Sequence, residues 1–175
     1  MLIASCMIVM IYIRSPLLED ANISILWNDD TELWSFKKMN CLNNNTIEDE
    51  IAWLRYKIKQ TNQIMFAICL QELDTYVGNV ELTNIRGNRA ELHCYIGNSL
   101  YKEKGVGLQA AFLMMQYGFL EKSLEIIYLR IHPSNISAIT RYEKLGFEIN
   151  HHELGMLYMT ISKSNFLNKY SVSRN

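Results

Sequence analysis

The run "VGLQAAFLMMQYGFL", residues 106 to 120, constrains this chain more than any other stretch. Its apolar residues occupy nearly the whole circumference of a helix rather than one stripe, so the helix is expected to be buried. What covers it is legible on either side, where the hydrophobic period changes. Upstream, "QIMFAICL", "TYVGNVELTNI" and "RAELHCYIG" are short β-rich runs separated by turn chemistry at "QELD" and "IRGN", and they read as an antiparallel meander. Downstream, "LEIIYLRIHP" reads as a strand stopped by Pro133. "SNISAITRYEKLG" is a helix with a Ser or Asn cap and Gly146 as its stop, and "FEIN" and "GMLYMTIS" are a final pair of strands.

The N-terminal third is read in the same way. Val9, Ile11 and Ile13 alternate with Met10, Tyr12 and Arg14, which predicts a strand. "SPLLEDANISILWNDD" predicts a turn and a short helix, Thr31 to Phe36 a second short helix, and "MNCLNNNT" a polar loop. Thr46 caps the next helix, "TIEDEIAWLRYKIK", whose acids fall in the first turn and bases in the last, matching the macrodipole. Ile47, Ile51, Leu54 and Ile58 recur there at helical spacing, with Trp53 on one flank.

The chain is expected to form one domain over residues 1–163, with residues 164–175 a frayed tail. Met10 is a second candidate start, which would leave residues 1–9 as an extension. The apolar run Leu2 to Ile13 is too short for a bilayer, which takes about 20 residues, and it lacks the basic region and cleavage pattern of a secretory signal. A formal net charge of −1 gives no electrostatic case for nucleic acid. Cys6, Cys41, Cys69 and Cys94 lie far apart with no C-x-x-C pair, so reduced thiols in a cytoplasmic protein and no metal site are expected.

The segment "YKEKGVGLQ" opens the apolar helix. Gly105 and Gly107 leave bare backbone where unpaired N–H groups and the positive end of the helix dipole form an anion site, with Lys102 and Lys104 adding charge. A tight turn with no ligand is the other reading of two glycines. A Walker loop is excluded because Leu108, not Lys, follows Gly107. Gly105, Gly107 and Ala110 spell the dinucleotide fingerprint, but "NSLYKEK" separates them from the preceding strand. The acid at the right distance, Glu125, begins a strand instead of ending one.

A second segment, "HPSNISAITRYEKLGF", decides between these readings. Together the two resemble the GNAT superfamily of acyl-CoA-dependent N-acetyltransferases. "KEKGVG" matches that family's Arg/Gln-x-x-Gly-x-Gly/Ala loop with Lys102 in first place. Asn135, Ala138, Tyr142, Glu143, Lys144, Gly146 and Phe147 match its Asn-x-x-Ala-x-x-x-Tyr-Glu-Lys-x-Gly-Phe pattern without a gap. Lys102 keeps a donor and a charge but loses the guanidinium fork.

The resemblance covers roughly residues 10 to 161 and implies an α+β (α/β/α) fold. Its mixed sheet has about seven strands, splayed between the fourth and fifth, with about four helices. It implies acetyl-CoA as acyl donor, its pyrophosphate held by amides from Lys102 through Glu103, Lys104, Gly105, Val106 and Gly107 to Leu108. Backbone at Tyr95 and Ile96 would receive the thioester carbonyl. Asn135, Ala138, Tyr142 and Lys144 would lie on the coenzyme side, with Tyr142 facing the sulfur.

The chemistry makes independent sense of Tyr142. A thiolate leaving group needs a proton, and a phenol of pKa about 10 is protonated at neutral pH. A packed core aromatic is the plain alternative. The amine must lose a proton, at about 4–5 kcal/mol for an alkyl ammonium at pH 7. In "AELHCYI" a period of two puts Glu91, His93 and Tyr95 on one face, which makes His93 and then Glu91 the candidate bases, or else members of a polar scaffold. His151 and His152 are read as turn residues and His132 as structural.

For the acceptor, "IYIRSPLLEDANISILWNDDTELWSF" resembles the opening of GNAT branches acting on protein N-termini and on amino groups of nucleotide-linked sugars. The sugar branch is the lead expectation, with Trp27, Asn28 and Trp34 lining the acceptor cleft; packing of the tryptophans into the core is the alternative. A protein N-terminus, a small polyamine or antibiotic amine, or acyl-CoA binding without turnover stand as the other readings. The expected partner is a small-molecule amine and not nucleic acid or membrane, and the expected state is a monomer or homodimer.

Overall fold

The computed structural model describes residues 9–27 and 46–171. Strands β1 (Ile11–Arg14), β2 (Ile64–Leu70), β3 (Tyr76–Arg86), β4 (Arg89–Ile96), β5 (Ile126–Ile131), β6 (Glu148–Glu153) and β7 (Met156–Ser162) form one sheet in the order β1-β2-β3-β4-β5-β7-β6. The helices among the described residues are α1 (Ala21–Ser24), α2 (Ile47–Lys59), α3 (Val106–Leu120), α4 (Ile136–Leu145) and α5 (Lys163–Ser171). All strand pairs are antiparallel except β4 with β5, which is parallel and holds for three rungs only, Arg89↔Ile126, Ala90↔Ile127 and Glu91↔Tyr128. Beyond Glu91 the two strands part. The expected splayed, mixed seven-stranded sheet is the architecture observed.

Period-two alternation sorts the sheet's faces. Leu92 of β4, Ile127, Leu129 and Ile131 of β5, and Leu157, Met159 and Ile161 of β7 join α3 in the main core. Helix α3 sinks Val106, Ala110, Ala111, Met114, Met115 and Phe119 there, each fully buried. Each large apolar side chain buried this way contributes about 1.5–3 kcal/mol. Gly118 lets the helix approach the sheet, since a Cβ there would lie 3.0–3.2 Å from Leu82, Ile127 and Leu124. On the opposite face a smaller cluster joins Trp27, Ala67, Cys69, Tyr76 and Tyr95, and α2 packs Trp53 and Leu54 against Ala21 and Met65.

Three expectations need correction. The tail from residue 164 is not frayed through Ser171: the Ser162 hydroxyl caps α5 by accepting from the Asn165 amide at 3.1 Å. Phe166 packs beside Phe112 and Phe119, and the Tyr170 hydroxyl donates to the Leu145 carbonyl. The domain therefore extends past 163. His151 and His152 lie on β6, not in a turn, because "FEINHHE" continues pairing with β7. Helix α2 is capped by Thr46 as expected, its hydroxyl accepting from the Asp49 amide at 3.2 Å. Its buried face, however, is Glu50, Trp53, Leu54 and Lys57, while Ile58 is exposed. The polar members of that face find polar partners: Lys57 meets Glu81 at 2.7 Å and Ser24 meets Glu50 at 2.6 Å. The helix expected over Thr31 to Phe36 lies outside the described residues.

Candidate active site

The glycine turn is built by the left-handed conformation at Gly105 (φ +81°), directly before α3. Gln109 makes the first helical bond, to the Gly105 carbonyl at 3.0 Å. Helix geometry therefore gives the amides of Val106, Gly107 and Leu108 no carbonyl of their own, and they sit at the positive end of the dipole. The Lys102 amide differs: it closes a short 3-10 turn onto the Ser99 carbonyl at 3.3 Å. The cradle is thus narrower at its start than the sequence suggests. Glu103 holds a positive φ of 60° in the same turn. Lys104 lies over the Tyr101 ring and Lys102 over the Tyr95 ring. A Cβ at Gly107 would make only ordinary contacts, 3.6 Å to Cys94 Sγ and 3.7 Å to Ile96. The chain's own packing does not demand glycine at that position.

The fork lies beside this turn. At the end of β4 the Gly97 and Asn98 amides both donate to the Val77 carbonyl, which ties that end to β3. Gly78 permits the approach, since a Cβ there would lie 2.2 Å from the Tyr95 carbonyl oxygen. Among the described residues, β5 pairs with β4 only as far as Glu91, so β5 does not cover the stretch of β4 that carries Tyr95 and Ile96. From α4, Tyr142 reaches toward Cys94 of β4. Burial first, and the neighbouring Cys94 thiol second, push the Tyr142 phenol well above its ordinary range. Burial likewise pushes the Cys94 thiol up to about 12. Both hydrogens stay in place at neutral pH. Asn135 is the N-cap of α4, its side-chain oxygen accepting from the Ala138 amide at 3.2 Å, which leaves its NH₂ as a donor. Ala138 packs on the core edge, and Lys144 sits exposed in the last turn of α4.

On the opposite face Glu91, His93 and Tyr95 do align, but their roles separate. Glu91 is 1% exposed. Arg130 of β5 clamps it, Nε at 2.9 Å and Nη2 at 3.1 Å, and Asn84 donates to it at 2.6 Å. Burial alone would raise this carboxyl, but His93, then Arg130 and Asn84, hold it down at about 2. A carboxylate so committed is a poor base. Glu91 instead orients His93, whose Nε2 lies 3.4 Å away. Trp27 is 7% exposed and packs on Gly97, where a Cβ would lie 2.0 Å from the indole, and against Tyr76 at 4.8 Å between ring centroids. It is a core wall behind Tyr95 and not an open stacking platform. Asn28 and Trp34 lie outside the described residues.

Sequence reasoning missed Arg130, Asn84 and Cys94. Arg130 follows from the period of "IIYLRI", which puts Tyr128 and Arg130 opposite the core-facing Ile127 and Leu129. Asn84 carried no such signal, because a register shift between Thr83 and Arg86 re-aims it.

Comparisons with known proteins agree with this architecture. A family model described as "Acetyltransferase (GNAT) domain" matches residues 11–148. The chain is 29% identical over 101 residues to the uncharacterized N-acetyltransferase YnaD of Bacillus subtilis, covering 58% of this chain and 59% of that one. It is 40% identical over 74 residues to a spermidine N(1)-acetyltransferase of Escherichia coli, covering 41% and 39%. The chain thus spans 59% and 39% of the lengths of these curated relatives. Among solved structures, a Vibrio cholerae spermidine N-acetyltransferase in complex with CoA and spermine superposes with a TM-score of 0.78. It shows 20% identity, over 90% of this chain and 98% of that one. With the family model matched across most of its length, this chain belongs to the GNAT acetyltransferase family.

Proposed function

We propose that the chain transfers an acetyl group from acetyl-CoA to a primary amine, with an aliphatic polyamine as acceptor. The observation that carries the reading is the fork. A strand edge left open past Glu91 lies between a glycine turn rich in unpaired amides and a half-buried, protonated tyrosine. The residues fit the donor: the Val106, Gly107 and Leu108 amides suit a pyrophosphate, and the open edge of β4 at Tyr95 and Ile96 offers backbone donors to a carbonyl. A glycine that packing does not require, Gly107, suits close approach of a ligand.

When bound, the thioester supplies the acyl group and a sulfur leaving group. Tyr142 holds the proton that the sulfur needs. His93, steadied by the Glu91 carboxylate, takes the proton of the amine, directly or through water. Asn135 keeps its NH₂ for the coenzyme side.

The polyamine acceptor is supported by the relatives named for spermidine acetylation. The buried acids add nothing to that support, because Asp20, Glu81 and Glu91 are each held by a cation of the chain itself, Arg14, Lys57 and Arg130. The nucleotide-linked amino sugar expected from the N-terminal segment finds no counterpart in the relatives reported above, and the buried Trp27 removes its clearest platform.

Thiol release from acetyl-CoA across spermidine, a nucleotide-linked amino sugar and a peptide N-terminus, with Tyr142→Phe as control, tests the reading. Preferred turnover of spermidine is expected. Preference for either other amine overturns the acceptor, and no thiol release with any amine overturns catalysis.

A further inference from the structure

The acceptor face carries a second feature that the transfer chemistry does not use. A cleft of about 340 Å³ opens there, lined by Asn84, Arg86, Tyr128, Arg130, Glu153 and Tyr158. Its position follows from register: Tyr128 is level with Glu91, the last rung before the fork, and Arg130 pairs with Tyr158 of β7. The cleft is therefore immediately below the point where β4 and β5 separate, within the size range of small-ligand sites.

Its walls are rigid and basic. Tyr158 stacks on Tyr128 at 4.9 Å and 20°, and His151 stacks on Tyr158 at 4.7 Å and 22°. Arg89 closes the ladder over Tyr128 and donates to the Tyr158 hydroxyl at 3.0 Å. Arg130 is fixed by Glu91, which fully engages that carboxylate. Arg86 and Arg89 have no carboxylate partner among the described residues. Glu153 is the one lining acid, and it acts on Arg130. Asn84 adopts a left-handed φ of 50° in the register shift that brings Arg86 to the rim.

Planar guanidiniums on a stiff aromatic base suit bidentate contact with an oxyanion. A polyamine would meet like charge here, so the cleft is not a polyamine subsite. We propose that this cleft binds a phosphate group, through Arg86 at its rim with Arg130 behind it, while Arg89 holds the aromatic floor in place from outside. The phosphate is either the anionic part of an amine acceptor or a separate small ligand. The first source rests on the acetyl transfer proposed above and would replace the polyamine as its acceptor; the second source, and the binding itself, do not.

The test uses the full chain with saturating coenzyme A, so that the turn before α3 is filled, and calorimetric titration with inorganic pyrophosphate. Saturable binding is expected, weakened tenfold or more in Arg86→Gln and less in Arg89→Gln. Absence of saturable binding, or binding in Arg86→Gln equal to that of the parent chain, overturns the proposal. These variants separate the cleft from the glycine turn even if the coenzyme does not bind, so failure of one reading is not failure of the other. Turnover then identifies the source. A phosphate on the acceptor predicts that glucosamine 6-phosphate outperforms glucosamine at least tenfold in kcat/KM, an advantage lost in Arg86→Gln. A separate ligand predicts that pyrophosphate shifts KM for spermidine in the parent chain but not in Arg86→Gln.

Discussion

Tyr142 and Glu91, beside opposite faces of β4, are held in opposite protonation states. Tyr142 is kept protonated by burial and by Cys94, which suits a donor at a leaving sulfur. Tyr142→Phe is therefore expected to lower kcat by about 10²-fold or more, with coenzyme affinity within about twofold by calorimetry. Glu91 is kept ionised. Its carboxyl is held from 4.5 down to about 2 in the folded chain, so its contribution is complete above 4.5 and is lost as pH falls toward 2. That contribution is about 3 kcal/mol. Denaturant melts of Glu91→Gln are expected to show lower stability at pH 7, and a flatter loss of stability than the parent between pH 4.5 and 2. An unchanged acid limb would remove Glu91 from its place in the Arg130 clamp. His93→Ala is expected to reduce turnover and to move the acid limb of these melts to higher pH, since His93 leads the groups that hold the Glu91 carboxyl down, while Arg130 and Asn84 keep the clamp itself.

At the scale of elements, the two glycines before α3 separate conformation from binding. Gly105 sits at φ +81°, so Gly105→Ala strains the turn and is expected to cost about 1 kcal/mol in thermal melts. Gly107 faces only ordinary contacts, so Gly107→Ala is expected to leave the melt unchanged while weakening coenzyme binding tenfold or more. Equal binding in that variant would mean that the turn holds nothing.

The same elements show what a sequence makes legible. The caps of α2 and α4, the glycine turn and the alternation of β4 are local, and each was readable from residues within a turn or two of one another. The Arg130 clamp spans 39 positions, and the register shift at Asn84 breaks the alternation on which any pattern depends. Helix α5 was hidden differently. Its polar composition resembles a tail, and Phe166, packed beside Phe112 and Phe119, together with Tyr170 on Phe112 and Leu145, shows why it folds. Phe166→Ala is expected to cost about 3–5 kcal/mol, whereas a frayed tail would lose nothing.

For the whole molecule, the α3 core and the acceptor face meet at one discontinuity, the gap past Glu91. Helix α3 and its core hold one side of the sheet, Trp27, Tyr76 and Tyr95 hold the other, and neither closes the gap. The family's fold was readable because its two motifs bracket this gap. The proposed acceptor was not, since the side chains offered for it come together only in the folded sheet. Amide hydrogen exchange with and without coenzyme A tests the central claim most directly. New protection is expected at the far end of β4, residues 94–96, and at the first turn of α3, residues 106–108, and nowhere else. Unchanged exchange in both segments at saturating coenzyme, with protection elsewhere, would contradict that claim.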